Sequence, residues 1–345
     1  AAAVTLCMAL SLASCGDGGA STGKNPPSGS GSGGESGQTY TMVLAHDEIL
    51  ESPLHKGFEA FKEYVETESG GKLQVQLYAN GELGDAATLA NMISMNNVQG
   101  SGFNSDILST YNDKLSFLTL PFLFDDYAQA EELVLNPDGA LHKLFQEEAN
   151  KVGFYILGFQ YQGQRGFSNS VREINTADDL KGLKVRVKQT DTSVATFDAL
   201  GCNVTPMSFN EVYTALAQKT VDAQDNPANN TINNKFNEVQ SYYSTLGHDM
   251  NLSTFAVNYD WLMSLPEELR EIVLYAGEEF GAKQVSEGCA EEEVTALEKI
   301  DESGCKVTQI TDKSSFVEAT KPVYEKFRGI YGDEFMDTIL KAVGK

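Results

Sequence analysis

Two hydrophobic rhythms alternate along this chain. Residues Tyr40–Ala45 and Leu73–Tyr78 read as strands. Between them Leu54, Phe58, Phe61 and Val65 repeat at the spacing of one buried helix face, which predicts a helix over 53–69. Helices are expected near 85–97 and 125–150, the second broken by Asn136-Pro137-Asp138-Gly139. The continuous apolar run 153–160 predicts a central strand buried on both faces. Leu183, Val185 and Val187 alternate with Lys184 and Arg186, a period-two strand. Helices at 190–200 and 208–219 follow, the latter opened by the capping-box pair Ser208 and Glu211. After His248 the chain turns apolar again over 252–261, and Leu265-Pro266-Glu267-Glu268 starts a helix of about 267–301, longer than an ordinary globular helix. Strands alternating with helices imply α/β architecture with mostly parallel sheets.

The 345 residues suffice for two packed domains. A net charge of −24 excludes nucleic acid as a partner, because phosphate binding needs a basic footprint. The basic residues are unevenly chosen. Of 25 Lys and Arg only five are Arg (165, 172, 186, 270 and 328), and three of them fall between 165 and 186. In an acidic protein, fixed guanidinium groups in a cleft are the means of capturing an anion.

The N-terminal apolar run stops abruptly at Leu12-Ala13-Ser14-Cys15. This fits a lipobox, with Cys15 as the lipidation site and residues 1–15 as a trimmed lipoprotein signal. Residues 16–38 are rich in Gly and Ser and form a tether that cannot bury a core. Three body cysteines remain, and the sequence leaves open whether all are free. Cys289 falls inside the long helix, about 18 Å from its end at the helical rise. Three residues cannot bring Cys305 back to it, so no Cys289–Cys305 disulfide is expected.

The stretch 178–227 is the most informative. It contains DLKGLKVRV, then ALGCNVTPMSFNEVYTAL, then VDAQDNP, and is flanked by LQVQLYANGELGD (73–85), LPFLF (120–124) and GQRGFSNS (163–170). In order and spacing over about 40–340, these motifs resemble the substrate-binding proteins of TRAP transporters, the DctP-type family. The resemblance implies a two-domain, Venus-flytrap-like periplasmic-binding-protein fold with a long helix spanning both domains. The expected division is 39–161 with 252–285 for the first domain and 162–251 with 286–345 for the second. It also implies an extracytoplasmic receptor that delivers an organic acid to a membrane permease, and the lipobox adds attachment to the membrane through Cys15 only. No cofactor is expected.

By the same resemblance Arg186 is the carboxylate clamp, Arg165 the second arginine, Asn226 the amide on the same carboxylate, and Phe209 an aromatic wall. A guanidinium fork matches a carboxylate with two parallel hydrogen bonds, which Lys cannot do. An Asn before Pro is held extended, which fixes its direction. Asn104, Asp85 and His46 are candidates from the first domain, His46 because it follows a strand at a sheet's carboxyl edge. Gln189, Tyr161 and Gln164 could add hydrogen bonds. His248 reads as a structural hinge residue. The amide-rich set favours a hydroxylated sugar acid (uronate or aldonate) over a C4-dicarboxylate, with both left open. The competing classes are the binding protein of a sensor or ATP-driven importer, and an extracytoplasmic enzyme. Outside the Gly/Ser-rich tether, whose Gly19-Ala20-Ser21-Thr22-Gly23 matches only by composition, the chain carries no G-x-S-x-G elbow, no H-E-x-x-H and no C-x-x-C, which argues against the enzyme.

Overall fold

The computed structural model describes residues 38–345. Cys15, the signal-like run and the tether up to residue 37 lie outside the described residues. In chain order the strands are β1 (Tyr40–Ala45), β2 (Leu73–Tyr78), β3 (Gly100–Asn104), β4 (Phe154–Tyr161), β5 (Arg165–Asn169), β6 (Lys184–Val187), β7 (Asn203–Pro206), β8 (Ala223–Pro227), β9 (Tyr242–Ser244), β10 (Leu252–Asn258) and β11 (Lys306–Thr308). They build a five-stranded sheet, β2-β1-β3-β10-β4, and a six-stranded sheet, β11-β9-β5-β8-β6-β7.

Both sheets are mixed, a refinement of the mostly parallel expectation. β1 runs parallel to β2 and β3, and β6 runs parallel to β7 and β8. The antiparallel pairings come where the chain changes sheet. β5 follows β4 across the gap, β10 follows β9 back, and each is antiparallel to both of its neighbours. A strand that arrives without a helical crossover enters in the opposite sense. β4 ends its sheet instead of running through its centre. Its unbroken apolar run has another cause: helices cover it, with Gly277 and Ala282 of the long helix packed against Leu157 and Gly158.

The first helix, Pro53–Glu68, is capped by Ser52, whose Oγ accepts from His55 N at 3.2 Å, and Pro occupies its first turn. It buries Leu54, Phe58, Phe61 and Val65 in one core with Phe255, Val273 and Val285. The break at Asn136-Pro137-Asp138-Gly139 falls between a π-helical turn ending at Leu135 and the helix Ala140–Asn150. The long helix is continuous over 36 residues, as Glu267–Glu278, a π-helical turn Glu279–Gln284 and Val285–Glu302. At that turn Gly281 lies so close to the Phe255 ring that a Cβ would sit 2.3 Å from it, and Gln160 Nε2 donates to the Gly281 carbonyl at 2.5 Å.

The C-terminal helices Ser314–Tyr331 and Asp333–Ala342 depart from the expected division. Their Val323, Phe327, Tyr331, Phe335, Met336 and Ile339 enter the core around Phe117, Phe145 and Phe159, which serves the first sheet. Ser116 and Tyr331 share a 2.7 Å hydrogen bond there. The second sheet has its own core around Phe167, Leu183, Val185, Phe197 and Phe316. Cys202, Cys289 and Cys305 are all buried and free. No helix among the described residues is long and apolar enough to cross a membrane.

Candidate ligand-binding cleft

Between the two sheets lies a cleft whose free space, with the open solvent at its mouth included, is about 660 Å³. Its walls come from the carboxyl ends of β1, β3, β6 and β8, the edge at which α/β sheets place ligands. The lobes meet at the rim, where a Cβ on Gly81 would lie 2.7 Å from Asn210 Nδ2.

Arg186 lines the cleft and is 3 % exposed. β6 sets its direction: Val185 and Val187 fall into the second core, so Arg186 turns to the other face. Nε and Nη2 both donate to the Met207 carbonyl, at 3.1 and 2.8 Å. This fixes the guanidinium plane through its side fork. The end fork, formed by Nη1 and the second N–H of Nη2, donates to no described residue. Burial pushes Arg186 down to about 10, which leaves it charged at neutral pH.

Arg165 has the same chemistry in the opposite condition. Its Nε donates to Asp225 Oδ2 at 2.7 Å and its Nη1 to Asn251 Oδ1 at 2.8 Å. Its Nη2 donates to the Asp225 carbonyl and to Asn226 Oδ1, the latter at 3.2 Å. Burial works against its charge, but Asp225 beside it wins and raises its pKa. Burial likewise raises the Asp225 carboxyl, and Arg165 with His248 overcomes that and holds it well below the carboxylate range. His248 Nε2 sits 3.2 Å from Asp225 Oδ2 and its ring meets Phe197 edge-on, which is structural support.

Asn226 lines the cleft with its Oδ1 held by Arg165 and its Nδ2 donating to Gln224 Oε1 at 2.5 Å. One Nδ2 hydrogen remains available. Phe209 serves both readings, since it lines the cleft while its ring meets Phe236 edge-on at 5.9 Å. Asn104, Asp85 and Gln189 also line the cleft. Asp85 doubles as the N-cap of the helix Ala86–Ser94, accepting from Thr88 N at 2.9 Å.

His46 does not reach the cleft. It is 1 % exposed behind it, with Nε2 3.0 Å from His55 Nδ1 and its ring edge-on to Phe58. Burial, and then His55, pushes its pKa down to about 3, so it stays neutral. The carboxyl edge of β1 was the right place but the wrong residue: the next two, Asp47 and Glu48, face the cleft. Tyr161 and Gln164 also leave the site. Tyr161 Oη donates to Glu293 Oε2 at 2.6 Å and Gln164 N donates to Glu293 Oε1 at 2.8 Å, which ties the chain crossing to the long helix.

Two further contributors were not visible in the motifs. Lys188 lines the cleft but is held by Asp106 at 3.0 Å and Asp249 at 3.4 Å, and Thr190 Oγ1 donates to Asp106 at 2.8 Å. This buried network joins the lobes. Ser253, at the start of β10 and opposite Asn104 in register, lines the cleft floor. No local sequence signal marks Ser253, because only the return of β10 beside β3 brings it there.

Comparison with known proteins decides what kind of cleft this is. Residues 44–329 match the bacterial extracellular solute-binding protein family 7. The chain belongs to this family. A solute-binding protein of Verminephrobacter eiseniae is 30 % identical over 84 % of this chain and 85 % of its own. The solved sugar acid binding protein of Advenella mimigardefordensis, in complex with galactonate, superimposes with a TM-score of 0.84 at 26 % identity, over 89 % of this chain and 99 % of that one. A TRAP periplasmic solute-binding protein of Anaerococcus prevotii with bound glucuronate gives a TM-score of 0.82 at 29 % identity, over 88 % and 98 %. This family 7 member therefore has the two-domain periplasmic-binding-protein fold of TRAP solute receptors, and the family's function is binding, not catalysis.

Proposed function

We propose that this chain is the receptor of a TRAP transporter that captures a sugar acid, a uronate or aldonate, and hands it to the membrane permease. The observation that carries this reading is the open end fork of Arg186. Met207 fixes the guanidinium plane, and of the three N–H groups left over the two that form the end fork match a carboxylate. The spare Nδ2 hydrogen of Asn226 supplies a second donor, and Phe209 supplies an apolar face for a sugar ring. Closure of the lobes around the ligand removes water and strengthens the charge contact. The two solved neighbours support the ligand class, since one holds galactonate and the other glucuronate.

The test is calorimetric titration with D-galactonate and D-glucuronate. Binding should be lost by about 100-fold or more in Arg186→Ala, consistent with about 2–5 kcal/mol for truncating one partner of a buried charge pair. Wild-type affinity retained in that variant would remove Arg186 from the site.

We also place Cys15 as the lipid anchor, on the strength of Leu12-Ala13-Ser14-Cys15. A Cys15→Ser precursor should appear in the soluble fraction of cells, and membrane attachment unchanged by that substitution would discard the anchor.

A further inference from the structure

The motif Leu120-Pro121-Phe122-Leu123-Phe124 lines no part of the cleft, yet it divides its side chains between the two lobes. Leu120, Leu123 and Phe124 are buried in the first-lobe core. Phe122 packs instead against the second-lobe core, the cluster around Phe167, Leu183, Val185 and Phe316. The backbone explains the divergence. Phe122 has a φ of 57°, a left-handed conformation that a bulky residue rarely adopts, and this turns its side chain away from the face its neighbours share.

Such a conformation persists only where the surroundings enforce it. Here the enforcement comes from segments remote in sequence. Tyr324 Oη donates to the Pro121 carbonyl at 2.9 Å, and Lys345 Nζ donates to the carbonyls of Phe122 and Leu123, both at 2.7 Å. The Phe122 N–H donates to the His248 carbonyl at 2.7 Å. His248 lies in 245–251, the segment that carries the chain from β9 in one sheet to β10 in the other. Tyr324 lies on the helix Ser314–Tyr331, which serves both lobes, with Phe316 in the second core and Val323 and Phe327 in the first. Phe122 thus sits where two links between the lobes meet.

We propose that Phe122 is a positioning residue for ligand capture, a peg that the first lobe seats in the second and that holds the lobes in their closed arrangement. The lobes are closed in this structure, since Gly81 and Asn210 meet at the rim and Arg186 is almost wholly buried. Rotation of one lobe against the other moves the socket relative to the peg, so the seated contact favours the closed state. Phe122 acts on the ligand through the closure equilibrium, and a smaller closed population weakens apparent affinity in proportion. The ligand arm of the test rests on the sugar-acid reading of the cleft, and the second arm does not.

Titration and stopped-flow kinetics with D-galactonate and D-glucuronate compare Phe122→Leu, which keeps an apolar peg, with Phe122→Gly, which removes it and suits the left-handed backbone. Phe122→Gly should bind about tenfold more weakly through faster dissociation, with association within about threefold of wild type. Phe122→Leu should stay within about threefold throughout. A protein that is merely less stable loses active fraction, not residence time, so the dissociation rate separates positioning from stability. The second arm needs no ligand. Gly81→Cys with Asn210→Cys sets two thiols across the rim, with Cys7 and Cys15 replaced by Ser, while Cys202, Cys289 and Cys305 are buried. Adding Phe122→Gly should slow formation of the rim disulfide about tenfold, because the closed arrangement brings the thiols together. A dissociation rate or a disulfide rate that Phe122→Gly leaves unchanged overturns the peg, as does a Leu variant impaired as much as the Gly variant. Failure of the wild type to bind either acid overturns the sugar-acid reading alone, and the disulfide rate then decides the peg.

Discussion

Arg165 and Arg186 line the same cleft, both almost wholly buried, and the protein uses them in opposite ways. Arg165 spends its Nε and both terminal nitrogens on Asp225, Asn251 and Asn226. Arg186 gives one side fork to a carbonyl and keeps the other fork open. A buried charge with a complete set of internal partners is architecture, whereas one with an unmatched fork is available for recognition. His46 is a third solution to the same problem, since a basic group that is buried without a carboxylate sheds its charge.

The contrast can be broken most forcefully at Arg165. Arg165→Met should destabilise the protein by about 3–5 kcal/mol, because it takes the guanidinium from a buried Asp225 and leaves only His248 beside that carboxylate. Denaturant unfolding measures this, and a loss below about 1 kcal/mol would mean that the pair is dispensable. If the site assignment is right, binding by whatever protein remains folded should fall less than in Arg186→Ala.

Acid titration probes the neutral histidine. The pKa of His46 lies near 3 in the folded protein, against about 6.5 when unfolded. The unfolded chain therefore takes up a proton that the native state refuses as pH falls below about 6.5. This contribution to stability is intact above that pH and is lost progressively down to about 3, at no more than about 1.4 kcal/mol per pH unit. His46→Gln should flatten the stability profile of the wild type between pH 6.5 and 4. Parallel profiles for the two proteins would show that His46 titrates normally. The smallest effect is expected from Arg186→Ala on stability itself. Its main partner is a neutral carbonyl, so the unfolding free energy should change by about 1 kcal/mol, the ordinary worth of such a bond, while ligand binding collapses. A loss as large as that of Arg165→Met would erase the distinction between the two arginines.

Much of this was legible along the chain. The period-two run at 183–187 placed Arg186 on the polar side of a strand, and the structure keeps Val185 and Val187 in the second core as that pattern requires. The i, i+4, i+7, i+11 repeat at Leu54, Phe58, Phe61 and Val65 became a buried helix face, and Asn136-Pro137-Asp138-Gly139 did end a helix. Cys289 and Cys305 stay apart for the reason their spacing supplied. Other features failed for identifiable reasons. The run 153–160 read as a central strand because burial by flanking helices and burial by neighbouring strands leave the same apolar signature. His46 missed the cleft because successive side chains leave a strand's end in different directions, and the sequence cannot say which of three neighbouring polar residues turns inward.

Sequence alone thus determined the class of fold, the family and the strand that carries Arg186, because these rest on local periodicity and on motifs contiguous in the chain. Tertiary structure decided which arginine is committed and which is open, since Asp225, Asn251 and Met207 meet them only after two sheets have formed and the chain has crossed between them. It decided as well that Asp47, Glu48, Asn104 and Ser253 share one wall. Those residues lie in three segments separated by some 50 to 150 positions, and only the pairing of β10 with β3 in the sheet they share with β1 brings them together.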